Sequence, residues 1–535
     1  MIGLAIPLLL LVALIVLGAV IAIQRSMSKG QEKGSGADIV SYLILALAMG
    51  VAGFAIAELA TTAFPGDRFV FDPAEDLATS LASLAVSAPF LVYFWRRQAS
   101  RRDAYPASPG WTLYLMLIEL VFMTAFVTAA VLFVNGLITD ESASAWTGVL
   151  VFGMVLVFHE VAVRRDPPLS DANELPRVVG SAIGLLTLAI GLAGTLTATF
   201  SLAFETLDVG FDPWVAMLIV GTPIWGYRWL RRWPGEPSTP RLAWATIVTI
   251  ASVSLAIAAA TSLVVMTLQY VFTDTPPAGE HFETSQAALG LLLTAIPIWV
   301  LHRRSLGEPQ STSTRAYQYA TAAVGLIAAV GGAIALTIFA FDRSLLVGGS
   351  SQDVITAATV MVVGVVVWRG FTRLATSGDP GLEHATWPRR LYHLGFGILF
   401  GLVSAGALIT TLFILFRRVL DEAPTSTSLL TPITIFLYTG LAAWYLLAIY
   451  SRDRGEIEDV EVVTPFAVTI IASHPGMIAT RFPEQARLKV IHRGDDAGTI
   501  DDETAEAIVA AVNNRPSLVW VDEDGFRVAP MRADT

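Results

Sequence analysis

The stretch Ile296-Pro297-Ile298-Trp299-Val300-Leu301-His302-Arg303-Arg304 ends an apolar run with a proline, an indole and a cluster of cations. Indole is amphipathic, and arginine lays its methylenes on apolar surface while its guanidinium reaches phosphate. This is the chemistry of a helix arriving at a membrane interface. The ending recurs as Thr222-Pro223-Ile224-Trp225-Gly226-Tyr227-Arg228 and as Ala88-Pro89-Phe90-Leu91-Val92-Tyr93-Phe94-Trp95-Arg96-Arg97. Outward from each, a second apolar run precedes the one that carries the motif. The pair recurs six times at a spacing of roughly 70 residues, the signature of a repeat architecture.

The chain has 535 residues, 54% of them hydrophobic, and a mean hydropathy of +0.63; soluble domains are less apolar. In hydrocarbon only a helix satisfies its own backbone polar groups, so each nearly uncharged window of about 18 residues or more reads as a spanning helix. About 13 such windows can be marked. The first, Ile2 to Ile23, lacks the basic start of a signal peptide and is too long for its apolar core, so it reads as a retained anchor. The others form six hairpins. Their first helices are expected at 40–64, 111–135, 178–203, 242–272, 316–341 and 391–416, and their second helices at 77–95, 146–163, 214–230, 285–301, 354–368 and 431–450. Small residues, as in Gly180-Ser181-Ala182-Ile183-Gly184 and Gly397-Ile398-Leu399-Phe400-Gly401, predict close helix contacts.

The expected fold class is an all-α polytopic membrane helix bundle, one N-terminal helix plus six helical-hairpin repeats, with a small C-terminal α/β soluble domain. Residues 1–38 are the N-terminal anchor and linker, 39–451 the repeat domain, and 452–535 a linker and the α/β domain. In that last part, strands are expected at 466–473, 487–492, 517–522 and 526–530, and a helix from Asp501 or Asp502 to about Asn513 with Ala505, Ile508, Val509 and Val512 on one face.

Positive charge concentrates on the cytoplasmic side of spanning helices. Arg25, Lys29 and Lys33 follow the first window, and Arg96, Arg97, Arg164, Arg165, Arg228, Arg303, Arg304 and Arg369 accompany the ends of second helices. Asp67, Asp140, Glu141, Glu205, Asp208, Asp274 and Glu280 lie inside the hairpins. The expected topology places the N-terminus outside and the C-terminal domain in the cytoplasm. Arg417 and Arg418 depart from the pattern, with Asp421 and Glu422 close behind them.

The absence of cysteine removes disulfides and thiolate metal sites. Of the formal charge of -11, most belongs to the tail: from Glu456 onward there are 15 acidic and 7 basic residues. An acidic tail argues against nucleic acid as a partner. No phosphate loop, zinc-protease, serine-hydrolase or dinucleotide motif occurs in the chain, so no catalytic residue and no cofactor are expected.

The repeated ending, fullest at Pro297, Trp299, His302, Arg303 and Arg304, resembles a bacterial membrane domain family of unknown function built from repeated transmembrane helical hairpins. The resemblance covers about residues 40 to 450. It implies the repeat architecture and a bacterial origin, hence the cytoplasmic (inner) membrane, and brings no catalytic residue.

Ionisable groups inside spans are costly and are candidates for function. Glu119 lies about 12 Å along its helix by helical rise, where it either binds a proton or cation or packs as a hydrogen-bonded carboxyl against a neighbouring Thr, Tyr or Arg. Glu58 sits toward the outer end of its helix. His159 and Glu160, in register with Arg228 and His302, read first as an interfacial anchor and second as a proton relay. In the tail, Asp495, Asp496, Asp501 and Asp502 offer oxygen ligands to a hard cation or a small ligand. Their spacing is not that of a calcium loop, and acids at a helix N-terminus are already favoured by the dipole, so no metal is expected. Loops after the first two strands, at His474-Pro475-Gly476 and His492-Arg493-Gly494-Asp495, are further ligand candidates.

The leading functional reading is a non-enzymatic scaffold or sensor that positions the C-terminal domain for a protein partner. The alternative is a transporter or channel with a pathway between repeats using Glu119 and Glu58. The bilayer is the other expected partner, and self-association is left open.

Overall fold

A computed structural model describes residues 35–63, 73–102, 109–140, 145–165, 174–204, 210–230, 238–273, 276–308, 311–345, 350–377, 386–420, 429–459, 466–472, 478, 481–482, 486–492, 501–512, 517–522 and 525–530. The N-terminal window at 2–23 lies outside them. The chain divides into two units, Met1–Leu447 and Ala448–Thr535.

The first unit is built from helical hairpins. The helices are α1 (Ser35–Ala63), α2 (Pro73–Arg102), α3 (Pro109–Ile138), α4 (Trp146–Arg165), α5 (Leu175–Ala203), α6 (Asp212–Trp225), α7 (Thr239–Phe272), α8 (Ser285–Arg303), α9 (Thr312–Leu345), α10 (Ser351–Ala375), α11 (Phe396–Val419) and α12 (Leu430–Asp459), the last of which continues into the second unit. Eleven of the helices among the described residues are long and apolar enough to cross a membrane. The exception is α6, which is followed directly by a π-helical turn, Gly226–Leu230. A second π turn, Leu391–Gly395, leads into α11. This is a multi-pass membrane protein, with the hairpins where the sequence periodicity puts them.

Many hydroxyl groups inside the helices are satisfied locally. Thr187, Thr195, Thr249 and Thr411 donate to the carbonyls of Ile183, Gly191, Ala245 and Ala407, one turn back. This pattern lets a polar residue sit in a span without seeking water.

Buried apolar clusters join successive hairpins. Tyr42, Leu45, Tyr114, Phe122 and Phe152 link the first two hairpins, with Val220 of α6 at their margin. Leu185, Trp225, Trp229, Val248 and Tyr317 bring together α5, the end of α6, α7 and α9. Tyr319, Leu326, Tyr392, Phe400 and Leu446 join the last two hairpins. Tryptophans near helix ends differ in burial: Trp111 is 2% exposed and Trp229 5%, against 68% for Trp444. Indole suits both environments, and repeat position alone does not separate them.

Within two hairpins, glycine brings backbones together. A Cβ on Gly184, Gly191 or Gly221 would strike backbone atoms of Trp225, Leu218 or Leu188 across the α5–α6 pair. Gly325, Gly332 and Gly364 stand in the same relation to Trp368, Met361 and Ala329 across α9–α10. Lipid tails are as apolar as leucine, so this close approach, and not hydrophobic exclusion, holds membrane helices together. The contact expected at Gly397 is with the side chain of Leu447, while Gly401 makes only ordinary contact, its Cβ position 3.9 Å from Ala443.

The second unit holds a four-stranded sheet of order β2-β1-β3-β4, from β1 (Phe466–Ala472), β2 (Ala486–His492), β3 (Ser517–Asp522) and β4 (Gly525–Pro530). β1 is parallel to β2 and β3, and β3 is antiparallel to β4. Alternate residues Val468, Ile470, Ala472, Val519 and Val521 are buried with Ala505, Ile508 and Val512 of α13 (Asp502–Val512). The strand period of two and the helical spacing of three and four converge on one core.

The packing yields a graded prediction. Gly364→Leu should cost about 1–3 kcal/mol of overpacking and lower the thermal unfolding temperature in detergent, while Gly401→Ala should leave it unchanged. Equal stability of the two variants would contradict the backbone contact at Gly364.

Candidate functional site

Four helices converge on one guanidinium. Arg228 sits in the π turn that follows Pro223, where the missing proline N–H has already interrupted the α-helical ladder. Its Nη2 lies 2.7 Å from Glu119 Oε1 on α3, and its Nη1 lies 2.7 Å from Glu160 Oε2 on α4. The three side chains are 9%, 10% and 17% exposed. The contacts differ in kind. Nη1–H donates a directed hydrogen bond to Glu160, whereas the approach to Glu119 is an ion contact that leaves Oε1 without a hydrogen bond.

The fourth wall is α5. A Cβ on Gly180 would overlap Glu119 Oε1 and crowd Arg228 Nε, so the missing side chain makes the space that the bridge occupies. Gly180 was expected to serve helix contact; its neighbour is instead a carboxylate. Arg177, one turn earlier, lies within electrostatic reach of Glu119 and Glu160. Glu174 is also within electrostatic reach of Arg177, so the two guanidiniums stand among three carboxylates. Breaking a buried pair costs far more than leaving it intact, which keeps Arg228 on its partners.

His159 and Glu160 are neighbours in sequence with separate roles. His159 is 4% exposed. Its Nδ1 lies 2.8 Å from the Val155 carbonyl, so the proton there donates along the helix, and Nε2 accepts from the Tyr114 hydroxyl at 2.6 Å. Trp95 and Phe158 stand edge-on to the ring. His302 repeats the bond to the residue one turn back, Ile298, at 2.9 Å and stacks on Trp229. Both histidines are core groups, whereas the sequence reading put an interfacial anchor here. Their shared register is the register of the bundle interior, to which the i−4 carbonyl bond fixes the ring.

Glu58 is half-buried and has no ion pair or side-chain hydrogen bond among the described residues; Thr62 donates to its backbone carbonyl. It borders a groove between α1, α2 and α3 whose lining does not include Glu119. In the second unit, Asp501 accepts from the Thr504 backbone N–H at 2.8 Å and caps α13. Hydrogen bonding to Thr504 holds its carboxyl below the ordinary value, so the cap is at full strength above the ordinary carboxylate range and is lost as pH falls through the lowered value. Asp502 pairs with Arg481 at 2.8 Å on the surface. Asp495, Asp496 and the loops 474–476 and 493–495 lie outside the described residues. Among the described residues, no group of three or more metal-ligating side chains gathers.

The fold and these sites define a multi-pass helical membrane protein with a repeated unit. A family model described as a domain of unknown function (DUF5671) matches residues 38–157 and 315–446. No curated protein and no solved structure matches the chain. The first matched region holds α1, α2, α3 and most of α4, the second most of α9 through α12. The matched unit is thus two hairpins long, and α5 through α8 lie between the copies in the same arrangement of two hairpins. The Arg228 bridge spans the junction from the first matched region to this middle set.

Arg228→Ala strands two buried carboxylates and should cost about 3–5 kcal/mol, read as a large drop in unfolding temperature in detergent. The triple variant Glu119→Gln, Glu160→Gln, Arg228→Met should recover most of that loss. A mild effect of Arg228→Ala alone would contradict the buried bridge.

Proposed function

We propose that the protein is a non-enzymatic membrane scaffold or sensor whose helical bundle positions the C-terminal α/β domain for a protein partner. In this reading it lies in a bacterial cytoplasmic membrane, with its N-terminus outside and that domain in the cytoplasm. The observation that carries it is the use made of Glu119. The carboxylate is tied to Arg228 beside Glu160 where two hairpins meet, as a structural bridge would be, and it is absent from the lining of the groove that Glu58 borders. A transport path built on these residues requires both carboxylates on one water-accessible route. Basic loops after second helices and acidic loops inside hairpins support the orientation.

Purified protein in sealed vesicles should pass protons and alkali cations no faster than protein-free vesicles, with or without Glu119→Gln. A flux abolished by that substitution would replace the scaffold with a transporter. Deleting 460–535 should leave the bundle inserted in membranes; loss of insertion would show that the tail is part of the bundle's fold and not its cargo.

A further inference from the structure

The groove between α1, α2 and α3 has a volume of about 730 Å³, within the range of small-molecule sites. In this hairpin no described glycine closes α1 on α2 as glycines close α5–α6 and α9–α10. On α1, Gly50 faces open space, with nothing within 4 Å of a Cβ placed there, and Gly53 is directed at the Phe122 ring of α3 and not at α2.

The groove is polar at one end and apolar along the rest. Leu43, Leu47, Val51 and Phe54 line it along α1 and are 39% to 69% exposed, so it opens sideways to hydrocarbon. From Leu43 to Glu58 is roughly 22 Å by helical rise. At the Glu58 end, Thr79, Ser80 and Ser83 of α2 also line it. Glu58 lies five residues before the end of α1, near enough to an interface for a headgroup to stay partly hydrated.

Among the described residues, the lining contains no Lys, Arg or His, and Glu58 has no ion pair. A carboxylate beside hydroxyls attracts a donor-rich cation. A phosphate there would meet negative charge with no cation among the described lining residues to offset it. A bare metal ion would lack ligands, since one carboxylate and a few hydroxyls fall short of the oxygen shell that hard cations demand.

We propose that this groove binds a lipophilic amine, an amphiphile entering from the bilayer, with its ammonium group on Glu58 and the hydroxyls of α2 and its apolar chain along α1. The site lies within the first two hairpins and does not depend on the scaffold reading. It makes α2 the movable wall, since little of that helix is buried, 11% of its span compared with 39% for α1 and α3.

The test uses the full chain in nanodiscs of zwitterionic lipid with a long-chain primary amine carrying a diazirine in its tail, and the alcohol of the same length as control. The amine should label α1, α2 and α3 at the groove. Glu58→Gln should lower amine labelling about tenfold, equivalent to about 1.4 kcal/mol, and leave alcohol labelling unchanged. Gly50→Leu should fill the groove and suppress both probes without altering thermal stability. Amine labelling that is indifferent to Glu58→Gln, or that persists in Gly50→Leu, would overturn the proposal. So would a co-purifying phospholipid that Gly50→Leu releases and Glu58→Gln does not.

Discussion

Hydrocarbon offers the chain no hydrogen-bond partner and no hydrophobic reward for bringing two apolar helices together, and the membrane unit answers that constraint throughout. Each helix satisfies its own backbone, and threonines return their hydroxyls to the preceding turn. Association then rests on what helices gain by touching. Glycine provides close contact within the α5–α6 and α9–α10 hairpins, and aromatic clusters provide it between hairpins. At one junction the contact is ionic: Arg228 draws carboxylates from α3 and α4 onto the end of α6.

That ionic junction depends on local irregularity. Pro223 and the π turn after it rotate Arg228 out of the register that an unbroken α-helix would give, and Gly180 clears the volume it enters. The residues involved come from hairpins on either side of the boundary between the first region matched by the family model and the middle set of helices. The bridge therefore acts between repeats, where a bundle of near-equivalent hairpins most needs a specific contact to fix neighbour and register. Buried polar groups hold register in coiled coils in a comparable way.

The hairpins were legible in the sequence because spanning helices advertise themselves by length and apolarity, and because turns and cations mark their ends. The α/β tail was legible for a similar reason: its strands alternate and Asp501 stands at a helix start, where it caps. What periodicity could not give was lateral placement. Arg228 reads as one more interfacial cation, since nothing in the linear pattern distinguishes a guanidinium that snorkels to phosphate from one turned inward by a π turn. For His159, read first as part of an interfacial anchor, the linear pattern could not foresee burial, because the same amphipathic ring serves an interface and a core. Glu119 was recognisable as costly, and an arginine partner was among the options, but its identity required the fold. One signal for Arg228 was available: a proline five residues earlier followed by glycine, where helical register is weakest.

The central claim is that a buried guanidinium fixes the second hairpin against the third. The absence of cysteine makes this directly measurable, because spin labels can be placed at Val161 on α4 and Ile219 on α6, both exposed positions, without removing any native thiol. Pulsed electron paramagnetic resonance in nanodiscs should give one narrow distance distribution in the otherwise unaltered chain, and a broad or shifted one when Arg228 is replaced by alanine. An unchanged narrow distribution after that replacement would contradict the account, because it would mean that apolar packing alone sets the relation of the two hairpins.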